Sequence, residues 1–272
     1  MKHAFDKIYT QEDILSQLAQ MQVPRDAVVL MHSSLRLVGQ LEDGAKTLLD
    51  AMIAYFYDEG GLFCVPTHTW AYSKKEIILD MSDPITCLGA FSNFAAADAR
   101  GIRSENPSHS MAVFGKRERA EEFVRGEIDV TSGTSPESCY GKLYRAGGYI
   151  LLVGVAHNRN TYLHCVEQLL GMSNRLSPQP RDVVIKRASG ELVHRQIHTH
   201  YTDFTKDISL RFPQYETAFR YHGAITDGWI GNAPTQLCDA RIMKDTMELI
   251  LKNCGDVDPL ADEKDIPPRW YC

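Results

Sequence analysis

No apolar stretch among the 272 residues approaches the roughly 20 needed to cross a bilayer. The first 19 residues mix Lys, Asp, Glu and Gln with apolar residues, so they lack the unbroken apolar core of a secretory signal. The cytoplasm is the expected location, with no membrane partner. Paired cysteines are missing too. Cys64, Cys87, Cys139, Cys165, Cys238, Cys254 and Cys272 are odd in number and include no CxxC, which argues against a disulfide framework and a thiolate zinc site. They read as reduced thiols, mostly buried. The ten histidines (His3, His32, His68, His109, His157, His164, His194, His198, His200 and His222) contain no HExxH, and only His198 and His200 form an HxH pair. A metal-dependent hydrolase therefore has little support, and no metal is expected. There is neither a Walker loop nor a GxGxxG fingerprint. A net charge of −6 without clustered Lys and Arg disfavours nucleic acid as a partner. That charge is compatible with a cationic ligand but does not identify one.

What remains is an ordinary folding composition, 44% hydrophobic and 24% charged. Thr10 to Asp13 can cap a first helix whose apolar stripe is Ile14, Leu15, Leu18 and Met21. Residues 27–31 and 62–65 are short continuous apolar runs, the pattern of buried strands, with a helix over 45–58 between them. This order predicts a parallel pair with a crossover helix. Further helices are expected at 90–97 and 116–125, and a short strand at 110–114. Residues 149–155 are the strongest central-strand candidate, followed by a helix over 161–170. Residues 183–185 and 191–194, joined through Ala188, Ser189 and Gly190, predict a hairpin. A long helix is expected over 235–252, stopped by Gly255, before an acidic, loosely held tail from 256. No repeat or linker divides the chain, so 1–272 reads as one catalytic domain. Residues 71–101 would be a substrate-contacting insertion.

Three segments carry candidate chemistry. His32-Ser-Ser-Leu-Arg-Leu-Val-Gly39 follows a buried strand, where α/β sheets place ligands, and offers two hydroxyls and a run of backbone N–H groups. As a Ser-rich turn it is also an ordinary βα loop. Val65-Pro-Thr-His-Thr-Trp70 ends the second strand in the same way. Asn160-Thr-Tyr-Leu-His-Cys-Val-Glu167 opens a helix, and its His164 and Glu167 share one helical face. An imidazole backed by a carboxylate can take a proton from an attacking group. The same spacing also suits a structural histidine, or a metal site given further ligands. Cys165 points about 100° away from His164 and reads as a packing residue.

These stretches, in this order, resemble the aminoglycoside 3-N-acetyltransferase (antibiotic N-acetyltransferase) family. The other matching stretches are Ile102-Arg-Ser-Glu-Asn-Pro-Ser-His-Ser110, Thr134-Ser-Pro136, Leu151-Leu-Val-Gly-Val155, Asp203-Phe204 and Ile230-Gly-Asn-Ala233. Together they span roughly residues 10–253. The resemblance implies an α/β three-layer sandwich with a mixed, largely parallel central sheet, distinct from the histone-acetyltransferase-like superfamily. It implies acetyl-CoA as co-substrate and a small-molecule amine, an aminoglycoside or similar, as acceptor. By the same carry-over His32, Ser33, Ser34, Leu35, Val38, Gly39 and Thr67 would hold the coenzyme, with Ser108 and Ser110. His164 matches the catalytic histidine, and Glu167 and Asp203 match acidic positions near it, either of which can orient the ring. Residues 71–101 and the stretch after Arg195, with His198 and His200, match nothing assignable and leave the acceptor open. A coenzyme-binding protein of the same fold without turnover is the alternative. A homodimer is admitted but not required.

Overall fold

The computed structural model describes residues 7–272; residues 1–6, His3 among them, lie outside the described residues. Val28–Ser33 (β1), Leu62–Pro66 (β2), Ile102–Arg103 (β3), Met111–Phe114 (β4), Tyr149–Val153 (β5), Ile225–Ile230 (β6) and Ala233–Asp239 (β7) form one sheet. Its order is β6-β7-β5-β1-β2-β4-β3. The three central strands β5, β1 and β2 are parallel neighbours, and every flanking pair is antiparallel. The sheet is thus mixed, as expected, with parallel pairing confined to its centre. Only β4 and β7 run against the rest.

The central strands read as continuous apolar runs because both faces are covered. Val29, Met31, Phe63, Val65, Leu151 and Val153 pack on one side with Gln11–Gln20 (α1) and Ala45–Tyr57 (α2). Val28, Leu30, Leu62, Cys64, Ile150 and Leu152 pack on the other. There they meet Cys139–Arg145 (α3), Tyr162–Leu169 (α4) and Ala240–Asn253 (α5). Three layers result. The capping box of α1 forms as its sequence predicts: the Asp13 amide donates to the Thr10 hydroxyl at 3.2 Å, and the Asp13 carboxylate accepts from the Thr10 amide at 3.0 Å.

Two expectations need correction. The helix expected over 235–252 begins only at Ala240, because residues 233–239 continue the sheet as β7. Asp239 ends the strand and caps the helix, accepting from the amides of Arg241 and Ile242. The tail beyond 256 is not loosely held: Leu260, Ile266 and Tyr271 are buried in the core that α5 shares with α3 and α4.

The hairpin forms from Arg181–Lys186 and Leu192–Ile197. Leu79–Asp80, from the 71–101 segment, adds a third, parallel strand. Ile78, Leu79, Val183, Ile185, Val193 and Ile197 give this small sheet its own core. Among the described residues, no helix is long and apolar enough to cross a membrane.

Candidate active site

The loops leaving β1, β2 and β5 lie side by side because their strands are sheet neighbours. The Ser34 amide donates to the Val153 carbonyl at 2.9 Å, which pins the first loop beside the third. A cavity of about 920 Å³ opens at this rim, near the upper end of small-molecule sites. His32, Ser33, Ser34 and Leu35 line it from the β1 loop, Pro66, His68 and Trp70 from the β2 loop, and Asn158 to Thr161 from the β5 loop. The small sheet and the 71–101 segment close the far side with Leu88, Phe91, Arg181, His198, His200 and Tyr201.

His164 stands on the first turn of α4 and lines the cavity at 9% exposure. Its Nδ1 lies 3.5 Å from Glu167 Oε2, one turn along the helix, which leaves Nε2 for a ligand. Glu167 is fully buried and shares Arg175 with Asp258: the Arg175 Nε donates to Glu167 Oε1, and its Nη1 lies 2.8 Å from Asp258. Burial raises the Glu167 carboxyl to about 7 despite the Arg175 cation. Burial also works against the charge on Arg175, but its carboxylate partners outweigh that and raise its pKa. The His164 imidazole is lowered to about 4 by burial, with Asp207 opposing and Arg175 adding to the shift. It is therefore a neutral ring at pH 7, able to accept a proton.

Next to it runs a row of imidazoles. His200 stacks on His164 with ring centres 3.9 Å apart, His109 meets His200 edge-on at 5.0 Å, and His68 lies 4.7 Å from His109. Tyr140 holds His68 at 2.7 Å, and Ser108 holds His109 at 2.8 Å. Burial depresses the pKa of all three, helped by the neighbouring rings. Burial and the Arg159 cation lower His32 to about 3. Among the described residues, no three His, Cys, Asp or Glu side chains are grouped as a metal ion would require.

The structure brings together His32, Ser33, Ser34, Leu35, Ser108 and His164 at the cavity, with Glu167 directly behind His164. It does not bring the others. Thr67 and Ser110 are fully buried, and their hydroxyls bond each other at 2.9 Å, tying β2 to β4 instead of facing a ligand. Val38 is fully buried in the α1–α2 core, and Gly39 packs against Asn232. Asp203 is exposed and accepts from Asn174 Nδ2 at 2.6 Å; it does not orient His164. Arg175, Asp258 and the packed histidine row were not recognisable in the sequence, since their members come from segments far apart in the chain. The HxH pair was the only local signal, and its two rings part ways: His198 Nδ1 turns to the Ser177 carbonyl at 2.6 Å.

A family profile described as aminoglycoside 3-N-acetyltransferase matches residues 30–252. The chain belongs to this family. It is 30% identical over 156 residues to the aminoglycoside N(3)-acetyltransferase IV of Salmonella sp, a match that spans 57% of this chain and 57% of that relative. The crystal structure of aminoglycoside acetyltransferase AAC(3)-IVa, as the apoenzyme, superposes with a TM-score of 0.72 at 25% identity, over 89% of this chain and 88% of that one. AAC-IIIb, binary with CoASH, superposes with a TM-score of 0.77 at 21% identity, over 93% of this chain and 100% of that one, and shares the fold. The α/β sandwich expected from the resemblance is thus the fold of the family.

Proposed function

We propose that the protein is an acetyl-CoA-dependent N-acetyltransferase acting on a small-molecule amine, with His164 as general base. The observation that carries this is the neutral, carboxylate-backed imidazole of His164, set in the wall of a cavity that the Ser33 and Ser34 loop also lines. Family membership supports the reaction class, and the CoASH in the AAC-IIIb neighbour supports the coenzyme.

The chemistry follows from these groups. Near pH 7 a free amine is largely an ammonium ion, and its nitrogen cannot attack until a proton leaves. A ring held at about 4 does not deprotonate an ammonium ion in advance. That first proton goes to solvent; the ring takes a second one from the attacking amine while the C–N bond forms, when the nitrogen becomes strongly acidic. Glu167 then faces the new imidazolium at close range, where burial strengthens the attraction. Direct transfer needs no acyl-enzyme. Cys165, next to the base in sequence, is fully buried, and its thiol is pushed up by burial.

The test is His164→Ala, assayed by thiol release over an amine panel and by calorimetry with CoA. Turnover should fall about 10²- to 10⁴-fold with coenzyme affinity nearly unchanged. Near-normal turnover removes the base. Coenzyme binding by the parent protein without thiol release from any amine leaves a coenzyme-binding protein of the same fold. A homodimer is no part of this reading, since one chain supplies every group it uses.

A further inference from the structure

The charges on the cavity wall do not suit a polycation. Of the lining residues, Arg36, Arg159, Arg181 and Lys206 are cations and Asp207 is the only carboxylate. None of these four cations pairs with a carboxylate among the described residues, whereas their neighbours Lys186, Arg187 and Arg195 all do. Asp207 is also partly occupied: its Oδ1 accepts from the Ser209 amide at 3.0 Å and from the Ser209 hydroxyl at 2.6 Å.

The cations fall into two pairs by their place in the fold. Arg36 follows Ser33 and Ser34 on the loop leaving β1, and Arg159 lies on the loop leaving β5, two strands that pair at Ser33 and Val153. Both stand with the coenzyme loop, where phosphates need cations. Arg181 opens the hairpin on the far side; its Nη2 donates to the Ser73 carbonyl at 2.7 Å, and its buried Nε has no partner. Lys206 is exposed on the stretch that follows His200. The same side presents the exposed rings of Trp70 and Tyr201. An acceptor with several ammonium groups would meet two free cations here and one partly engaged carboxylate. Like charges brought together across a binding surface select against that partner.

Resting on the acetyl-transfer reading, we propose that the acceptor is an amine that also carries an oxyanion, a phosphate or a carboxylate, which Arg181 and Lys206 bind. Arg181, whose Nη2 is held by Ser73, keeps Nη1 and its charge for such a group, and Lys206 offers a mobile point charge. In the reaction the amine nitrogen bonds to the thioester carbonyl carbon, its proton passes to His164, and the C–S bond breaks. CoA leaves as the thiol, its sulfur taking that proton from the His164 imidazolium, which returns to the neutral ring.

The experiment measures thiol release from acetyl-CoA with matched acceptors: glucosamine against glucosamine 6-phosphate, tyramine against tyrosine, and kanamycin as the polycation. In at least one pair the anionic member should exceed its partner in kcat/KM by about ten- to a hundredfold, the worth of one or two charge-assisted contacts. Arg181→Gln and Lys206→Gln should each shrink that ratio about tenfold or more. Lys206→Gln, at an exposed side chain, keeps the result readable if Arg181→Gln disturbs the hairpin. Preference for kanamycin, or ratios near one in both pairs, overturns the proposal while leaving acetyl transfer intact. Binding of acetyl-CoA by calorimetry with no acceptor acetylated removes the transfer reading, and the proposal falls with it.

Discussion

At the scale of single residues, the candidate site is a histidine whose environment matters more than its identity. The i,i+3 spacing placed Glu167 on the face of His164, and that much was legible from the sequence. The spacing could not show that Arg175 and Asp258 hold the carboxylate from behind, or that His200 stacks on the ring. These contacts join residues remote in sequence, so no local pattern records them. Asp203, equally acidic and equally well matched to the family, faces Asn174 instead. The consequence is testable at Glu167. Glu167→Gln keeps an amide oxygen for Arg175 but removes the charge that stabilises the imidazolium. We expect kcat to fall by about 10²-fold or more with KM for acetyl-CoA little changed. Asp203→Asn should leave kcat within about twofold. A Glu167→Gln enzyme as fast as the parent, with the Asp203 variant impaired, would reverse the assignment.

At the scale of elements, the parallel centre of the sheet was readable because strands covered on both faces are apolar throughout. The flank was not. β6 contains Thr226, Asp227 and Gly228 and carries exposed Trp229, so it resembles a loop; β7 runs straight into α5 and looks like its first turns. What makes these strands a hairpin is the turn at Gly231 and Asn232, visible in the sequence only as a family motif. Gly231 has φ +59°, and a Cβ there would lie 2.2 Å from the Val38 carbonyl oxygen. The Asn232 amide donates to that same carbonyl at 2.9 Å, and Tyr9 donates to the Asn232 side chain at 2.6 Å. This turn therefore buttresses the far end of the Ser33 and Ser34 loop. Gly231→Ala should destabilise the fold by about 2–4 kcal/mol, through backbone strain and the forced shift of Val38. It should also weaken coenzyme binding before it affects the chemistry at His164. Chemical denaturation together with calorimetry checks both, and a variant of parental stability and affinity would show that the turn gives no such support.

At the scale of the whole molecule, net charge and local charge point in opposite directions. A chain of −6 lines the cavity beside His164 with four cations and one carboxylate among the described residues, so the total says little about the ligand. The histidines have a larger global effect. His32, His68, His109, His157 and His164 are buried, His200 is half-buried, and the pKa of each is lowered chiefly by burial. A depressed pKa means that the unfolded chain, near 6.5, binds protons more readily than the folded one. The stability these rings contribute is complete above about 6.5 and is lost as pH falls toward about 4, the value for His157 and His164. Glu167 acts in the opposite sense: raised to about 7, its carboxyl is more readily protonated in the folded chain and favours folding as pH falls through that value. Burial raises the buried Glu127 carboxyl in the same sense, but two groups do not offset six, each able to change the slope by about 1.4 kcal/mol per pH unit. Thermal unfolding should therefore show a plateau in Tm above about pH 7 and a steepening fall from about 6.5 toward 4. His157→Gln, at a ring that does not line the cavity, should make that slope shallower by about one proton. A Tm unchanged between pH 7 and 5 would mean that the folded protein admits protons to these rings as freely as the unfolded chain does, and the neutral His164 on which the catalytic reading depends would lose its physical basis.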